Sequence, residues 1–485
     1  MSNELNNKIK HAAKWSVITE VIAKFITPIT SMMLARLLTP EAFGVVATLT
    51  MIISFAEIFT DAGFQKFLIQ QEFRDEKERE QSTTVAFWSN LSMSLLIWAV
   101  IAVFSEPLAV MVGNPGLGHV LVIACISIPL SAFSSIQIAL YKRDLDFKTL
   151  FKVRIIGICI PLFVTIPLAL WLRNYWALVC GTIASNIVNA VLLTYYSTWK
   201  PRIYYSFNKF KEMFSFTIWS VVEAVTIWMT GYIDIFFIGI YLNEYYLGLY
   251  KMSIATVGSL TSIIISATTP ILFSGLSRLQ NDNEAFKQMF FKFQKLVGML
   301  IIPLGVGIFC YSDLITAILL GGQWGEASDF IGLWGLSSAF TIIFAHYSSE
   351  VYRSKGRPKL SVLAQVLHLV VLLPVVYWSV QYGYGTLIWS RSLVRFELII
   401  VNMIIIYYTV KMSPWRMLIN VAPSIIAAIV MGCFAWGISG LMNGIFGQFI
   451  GIILSSILFF ITVSLFPIER AILIGFVKRL KNNKF

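Results

Sequence analysis

Apolar runs of about twenty residues recur along nearly the whole chain, and no other feature constrains the fold as strongly. A helix needs about 20 apolar residues to cross a bilayer, and a lipid-exposed backbone satisfies its hydrogen bonds only as a helix or a closed barrel. Fourteen such runs are read, near 15–37, 42–64, 84–112, 117–140, 150–172, 174–196, 213–240, 246–274, 290–311, 327–349, 360–381, 384–410, 418–440 and 445–467. No interval between them could hold a sizeable soluble domain. The chain is 57% hydrophobic and 13% charged, with mean hydropathy +0.76. A water-soluble surface of this size needs far more charge. The expected fold is an all-α polytopic membrane protein of about 14 transmembrane helices.

Basic residues test that count. The loops after even-numbered spans hold Lys66, Arg74, Lys77 and Arg79, then Lys142, Arg143 and Lys148, then Lys200, Arg202, Lys209 and Lys211, and so on to Lys411 and Arg416. Four odd loops, SEPLAVMVGNPGLG, SDLITAILLGGQWGEAS, QYGYG and LMNGIFGQ, contain no Lys or Arg. By the positive-inside rule both termini and the even loops are cytoplasmic. A wrong span count would scramble this alternation. The net charge of +12 is therefore an orientation signal, and a nucleic-acid partner is not expected. The closing stretch IERAILIGFVKRLKNNKF is basic and amphipathic, which suits a helix lying along the membrane surface.

The text also repeats. LLTPEAFGVV at the junction of spans 1 and 2 resembles IYLNEYYLGLY at the junction of spans 7 and 8, with Gly44 matching Gly248. SEPLAVMVG matches SDLITAILLG through Gly113 and Gly321, and YKRDLDFK matches YRSKGRPK through Tyr141 and Tyr352. Three matches in one order, at offsets of 204, 208 and 211, imply duplication of a six-span unit. The expected organisation is an N-lobe over 1–200, a C-lobe over 201–412, and spans 13–14 with the tail over 413–485. Six spans per repeat give both lobes the same orientation, with a pseudo-symmetry axis along the membrane normal and a central cavity between them, which is a transporter plan.

Six basic residues remain after the termini, the even loops and their flanks are assigned: Lys24, Arg36, Arg173, Lys251, Arg391 and Arg395. Each costs roughly 2.5–3.5 kcal/mol at mid-membrane unless it faces protein or water. Arg173 reads as an outer-loop residue. Arg36 closes span 1 and Lys251 opens span 8 at the outer side, and Lys24 is mid-span. Arg391 and Arg395 are i,i+4 neighbours on one face of span 12, where like charges repel. An anion is expected opposite them, either an acid on another helix or an anionic ligand. Acids within spans are Glu20, Glu57, Asp61, Glu223, Asp234 and Glu397. Glu20 is placed to pair with Lys24 four residues on. Glu57, Asp61, Glu223 and Asp234 are candidates for ion pairing or for carrying a coupling ion, because a carboxylate facing a membrane cavity can take up a proton.

Other chemistry is sparse. Cys125, Cys159, Cys180, Cys310 and Cys433 all fall inside apolar runs without metal-ligand spacing and read as small core residues. His346 and His368 have no second ligand at helical spacing. No glycine-rich phosphate loop, metal cluster or nucleophile motif is found, so no cofactor, metal or enzymatic activity is expected. Trp and Tyr read as interface belts and cavity walls.

The stretch LARLLTPEAFGVVATLTMIISFAEIFTDAGFQKFLIQQ, residues 34–71, resembles the opening signature of bacterial polysaccharide repeat-unit flippases. These belong to the multidrug/oligosaccharidyl-lipid/polysaccharide exporter superfamily, which also holds the multidrug extruders and the lipid II flippase. Arg36, Pro40, Gly44, Asp61 and Gly63 carry the match. The resemblance implies two lobes in a V that opens to one side at a time. It implies a substrate of oligosaccharide repeat units on an undecaprenyl pyrophosphate carrier, moved across the bacterial inner membrane by alternating access for O-antigen, capsule or exopolysaccharide synthesis. Partners would be the lipid-linked oligosaccharide, membrane lipid, a polysaccharide polymerase and a chain-length regulator. Arg36 and Lys251, with Lys24 as a further candidate, take over the family's cavity cations, which suit a pyrophosphate. The two extra spans, 13 and 14, are expected to shape a groove for the lipid tail. The alternative is an ion-coupled multidrug or toxin antiporter of the same superfamily, which would need a cavity dominated by acids. A membrane polymerase or transferase would need a long external catalytic loop, and none is present.

Overall fold

A computed structural model describes residues 2–61, 64–442 and 444–481. It is 87% helical, with no strand among the described residues. Fourteen described helices are long and apolar enough to span a bilayer. They are α1 (Ser2–Leu37), α2 (Pro40–Asp61), α3 (Glu76–Val103), α4 (Gly118–Arg143), α5 (Phe147–Leu172), α6 (Trp176–Tyr196), α7 (Phe207–Tyr241), α8 (Glu244–Arg278), α9 (Asn283–Cys310), α10 (Gly322–Ser354), α11 (Lys359–Val380), α12 (Tyr384–Val410), α13 (Pro414–Ser439) and α14 (Gly444–Val463). Trp171 and Trp436, about 80% exposed, and Phe163 at 76% face outward from these helices. Such surface is untenable in water and suits acyl chains. The chain is a multi-pass membrane protein.

Helix ends follow local chemistry. Asp75 accepts from the Glu78 N–H at 2.6 Å to cap α3, and Asp282 accepts from the Ala285 N–H at 3.0 Å to cap α9, each satisfying an N–H that the helix leaves unpaired. The third apolar run was expected to continue to 112. Instead α3 stops at Val103 and Ser105–Met111 forms a separate short helix. Pro107 accounts for the break, because it has no N–H for the Val103 carbonyl and its ring would collide with it.

The chain divides into two compact units, Met1–Lys251 and Met252–Phe485. In the first, one apolar cluster joins α2, α3, α4 and α6 through Val45, Ile101, Leu121 and Val179. A second gathers Phe64, Phe67, Phe87 and Ile136. The second unit has a large core from α8 to α14, including Phe286, Phe290, Ile343, Met417 and Phe459. One pair of matched segments from the sequence falls with a member in each unit. α3 and α9 are both 28 residues long, and each is followed by a short helix, Ser105–Met111 and Ser312–Leu319 respectively. Gly113 (φ 81°) and Gly321 (φ 103°) close those short segments with left-handed φ, a conformation that suits a residue without a Cβ.

The tail has a partner that its amphipathic pattern did not name. α15 (Pro467–Lys481) is tied to protein: the Glu469 carboxylate, itself buried, accepts from the half-buried Lys295 Nζ on α9 at 2.7 Å. Ile472 and Leu473 pack on the second unit's core. The sequence could not show this, because Lys295 lies 174 residues away.

Candidate functional site

In the first unit the motif of the α1–α2 junction meets its own repeat. A Cβ on Gly44 would lie 2.6 Å from the Glu244 carbonyl carbon and 2.9 Å from its Cα, and one on Gly248 would lie 2.6 Å from the Pro40 carbonyl carbon. Pro40 and Glu244, like Gly44 and Gly248, are 204 residues apart. The contact is therefore reciprocal, with each copy's glycine receiving the other copy's first helical turn. Backbones this close require glycine on both sides. A similar approach brings Gly239 of α7 to the backbone of Val112.

The two cations carried over from the resemblance flank this crossing along the chain. Arg36, in the last turn of α1 and exposed, lies four residues before Pro40. Lys251 lies three residues beyond Gly248, on the α8 face that Glu244 and Gly248 share. It is half-buried, with Nζ 4.8 Å from the centre of the Tyr232 ring. Tyr232 stacks on Trp228 at 5.5 Å. The Trp228 Nε1–H donates to Ser54 Oγ of α2 at 3.0 Å, and its ring meets Phe55 at 4.8 Å. Trp228 and Tyr232 are i,i+4 neighbours on α7, so their stacking makes one aromatic strip leading to the lysine. Asp234 is buried, accepts from Tyr250 Oη at 2.5 Å, and is within electrostatic reach of Lys251. In the sequence these aromatics read only as belts or walls. The spacing of Trp228 and Tyr232 was visible, but nothing visible aimed them at Lys251.

The other positions are placed as follows. Glu57, on α2, accepts from Ser131 Oγ of α4 at 3.0 Å. Lys24 is half-buried in α1. The expected Glu20–Lys24 pair is replaced by Glu20 with Arg154 of α5 at 3.2 Å. The bidentate-capable guanidinium across the α1–α5 contact wins over an ammonium on the same helix. Gly63 lies outside the described residues, as do the side chains of Asp61 and Glu223.

In the second unit, Arg391 and Arg395 converge on Trp334 of α10. Their guanidinium carbons lie 5.0 and 3.8 Å from the ring centre. Arg395 also donates to Ser338 Oγ at 2.7 Å and Ser337 Oγ at 3.2 Å. An indole face carries partial negative charge and attracts cations most strongly where water is excluded, and Arg391 is 7% exposed. A π-face thus meets both guanidinium groups here. Glu397 turns away from this group and meets His368 Nδ1 of α11 at 2.7 Å. No group of three or more His, Cys, Asp or Glu suited to a metal occurs among the described residues.

Fold and charges together define a multi-pass helical membrane protein that holds cations within its spanning helices. A family model described as "Polysaccharide biosynthesis protein" matches residues 33–329, and the chain belongs to that family. It is similar to the succinoglycan biosynthesis transport protein ExoT of Rhizobium meliloti (strain 1021), 24% identical over 323 residues. That match covers 67% of this chain and 65% of ExoT, so slightly less than two thirds of the relative is spanned. The teichuronic acid biosynthesis protein TuaB of Bacillus subtilis (strain 168) is 21% identical over 446 residues, 90% of each chain. Among solved structures, the lipid II flippase MurJ in an inward closed conformation superposes with TM-score 0.72 at 14% identity, covering 95% of this chain and all of MurJ. At that identity the likeness is one of fold.

Proposed function

We propose that this protein is a flippase that carries lipid-linked oligosaccharide repeat units across the bacterial cytoplasmic membrane during polysaccharide biosynthesis. In this reading both termini are cytoplasmic, the carrier is undecaprenyl pyrophosphate, and transport proceeds by alternating access without a covalent intermediate. A polymerase and a chain-length regulator are the downstream partners. The observation that carries the reading is Lys251. It is a half-buried cation at the start of a spanning helix, held over an aromatic ring three residues past a backbone crossing that belongs to the family motif. A diphosphate entering the membrane sheds water, and cations offset that cost. Arg36, with Lys24, supplies further positive charge for the headgroup from the same unit, and Arg391 and Arg395 are further candidate cations in the second unit. A drug antiporter would need acids free to meet cationic substrates, whereas Asp234 already accepts from Tyr250.

The lipid tail has a seat in the second unit. An apolar cavity of about 450 Å³ lies among α8, α9, the Ser312–Leu319 helix, α13 and α14, lined by residues such as Leu304, Ile315, Met431, Ile452 and Phe460. It has the acyl-like lining that an isoprenoid chain requires.

The test is complementation of a strain lacking this chain. Lys251→Ala and Arg36→Ala abolish surface polysaccharide at unchanged protein abundance, while Lys251→Arg retains part of it. Normal polysaccharide in both alanine variants refutes the headgroup role.

A further inference from the structure

The duplicated loops after α4 and α10 share one backbone and carry opposite chemistry. In the first unit, the Asp144 N–H donates to the Leu140 carbonyl at 2.9 Å and Asp146 N–H to Tyr141 at 2.9 Å, with Leu145 left-handed at φ 59°. In the second, the Lys355 N–H donates to Val351 at 3.1 Å and Arg357 N–H to Tyr352 at 2.8 Å, with Gly356 left-handed at φ 68°. Each pair of equivalent residues is 211 apart. Asp144 and Asp146 therefore correspond to Lys355 and Arg357. In the first unit those acids are employed: Asp144 accepts from Arg79 at 2.7 Å, and Asp146 caps α5 by accepting from the Thr149 N–H at 3.1 Å. In the second unit both acids have become cations.

A cavity of about 320 Å³ opens there, where the ends of α8, α10 and α12 meet the starts of α9 and α11. Its polar lining includes Lys355, Arg357, Lys411, Gln280, Asn283 and Thr409, and no carboxylate lines it. Nearby acids are committed elsewhere: Glu350 to Arg353 at 3.0 Å, Glu284 to Lys287 at 3.0 Å, and Asp282 to the α9 cap. Lys355 Nζ is fixed by the Gln280 carbonyl at 2.6 Å and Asn283 Oδ1 at 2.8 Å, over the Phe286 ring. The positions of Arg357 and Lys411 leave their charges for a guest. Lys411 adopts φ 58°, a strained conformation for a residue with a Cβ, at the turn where its side chain joins the rim. Desolvation, then the like charges of Arg357 and Lys287, push the Lys355 ammonium below its ordinary range, as expected where cations gather.

We propose that this cavity binds a phosphate group, with Arg357 and Lys411 clamping its oxygens beside the prefixed Lys355. The guest brings to this loop the negative charge that Asp144 and Asp146 supply in the first unit. Its source is either the phosphodiester of an anionic membrane lipid, since the site sits at the ends of spanning helices, or free inorganic phosphate. This site is separate from Lys251 and does not depend on the transport reading.

The test uses the full chain in detergent micelles of a zwitterionic amphiphile, with dioleoyl phosphatidylglycerol, dioleoyl phosphatidylcholine and inorganic phosphate as probes. Thermal unfolding and native mass spectrometry are the readouts. Phosphatidylglycerol raises the midpoint and persists as a bound adduct, phosphatidylcholine does neither, and Arg357→Gln/Lys411→Gln removes both effects. A control removing two exposed charges of the other loop, Lys142→Gln/Lys148→Gln, keeps them. If millimolar inorganic phosphate protects and phosphatidylglycerol acts no better than phosphatidylcholine, the guest is the free anion. If neither probe distinguishes the Arg357/Lys411 variant from the wild type or from the control, the site does not exist.

Discussion

Alanine at Gly44 tests the reciprocal crossing directly. The added methyl would sit 2.6 Å from the carbonyl carbon of Glu244 and closer still to its oxygen, whereas real Cβ atoms essentially never approach within 3.0 Å of other heavy atoms. The atom it meets is backbone, so no side-chain rotation relieves the clash. The first turns of α2 and α8 must separate by roughly 1 Å, and overpacking of that kind costs about 1–3 kcal/mol. Gly248→Ala presents the same clash against Pro40 and should cost about as much. The informative variant is the double. Once the helices have parted for one methyl, most of the room for the second exists, so the two costs fall short of additivity by about 1 kcal/mol or more. The assay is a double-mutant cycle on the detergent-solubilised chain, read by midpoints of thermal or denaturant unfolding. Full additivity, or single variants as stable as the wild type, would refute the claim that the two glycines serve one contact.

Two further outcomes follow from buried charges. Glu469→Gln leaves Lys295, 13% exposed, without its anion; losing one partner of a buried pair costs about 3–5 kcal/mol, so α15 detaches and trypsin cleaves after Arg470 far faster than in the wild type, and unchanged cleavage contradicts the docked tail. Trp334→Leu deprives Arg391 and Arg395 of their shared ring, at about 1–2 kcal/mol for each desolvated contact. Trp334→Phe restores part of the loss in unfolding midpoint, and an unaffected Leu variant would show that the ring does not hold the arginines.

What could be read from the residue order is whatever depends on local pattern. Apolar run length set fourteen spans, because each helix satisfies its own backbone and needs only enough greasy residues to cross. The duplication was legible because turns need particular residues at particular places, as with Gly113 and Gly321. The break before Pro107 was legible in principle from one proline. Candidate cations stood out because charge is costly in lipid, so Arg391 and Arg395 could be picked out and an opposing group demanded.

That both arginines meet the Trp334 ring was decided only by tertiary packing. Trp334 lies 57 residues before Arg391, and an indole answers a cation as an acid can, so helical spacing could not choose between them. Glu20 likewise chose Arg154 over a neighbour one turn away, Lys251 found the Tyr232 face, and the tail found Lys295. Each is a contact between helices, where orientation about the helix axis and side-chain reach settle the partner. Pattern along the chain specifies which residues need an answer; packing in three dimensions supplies it.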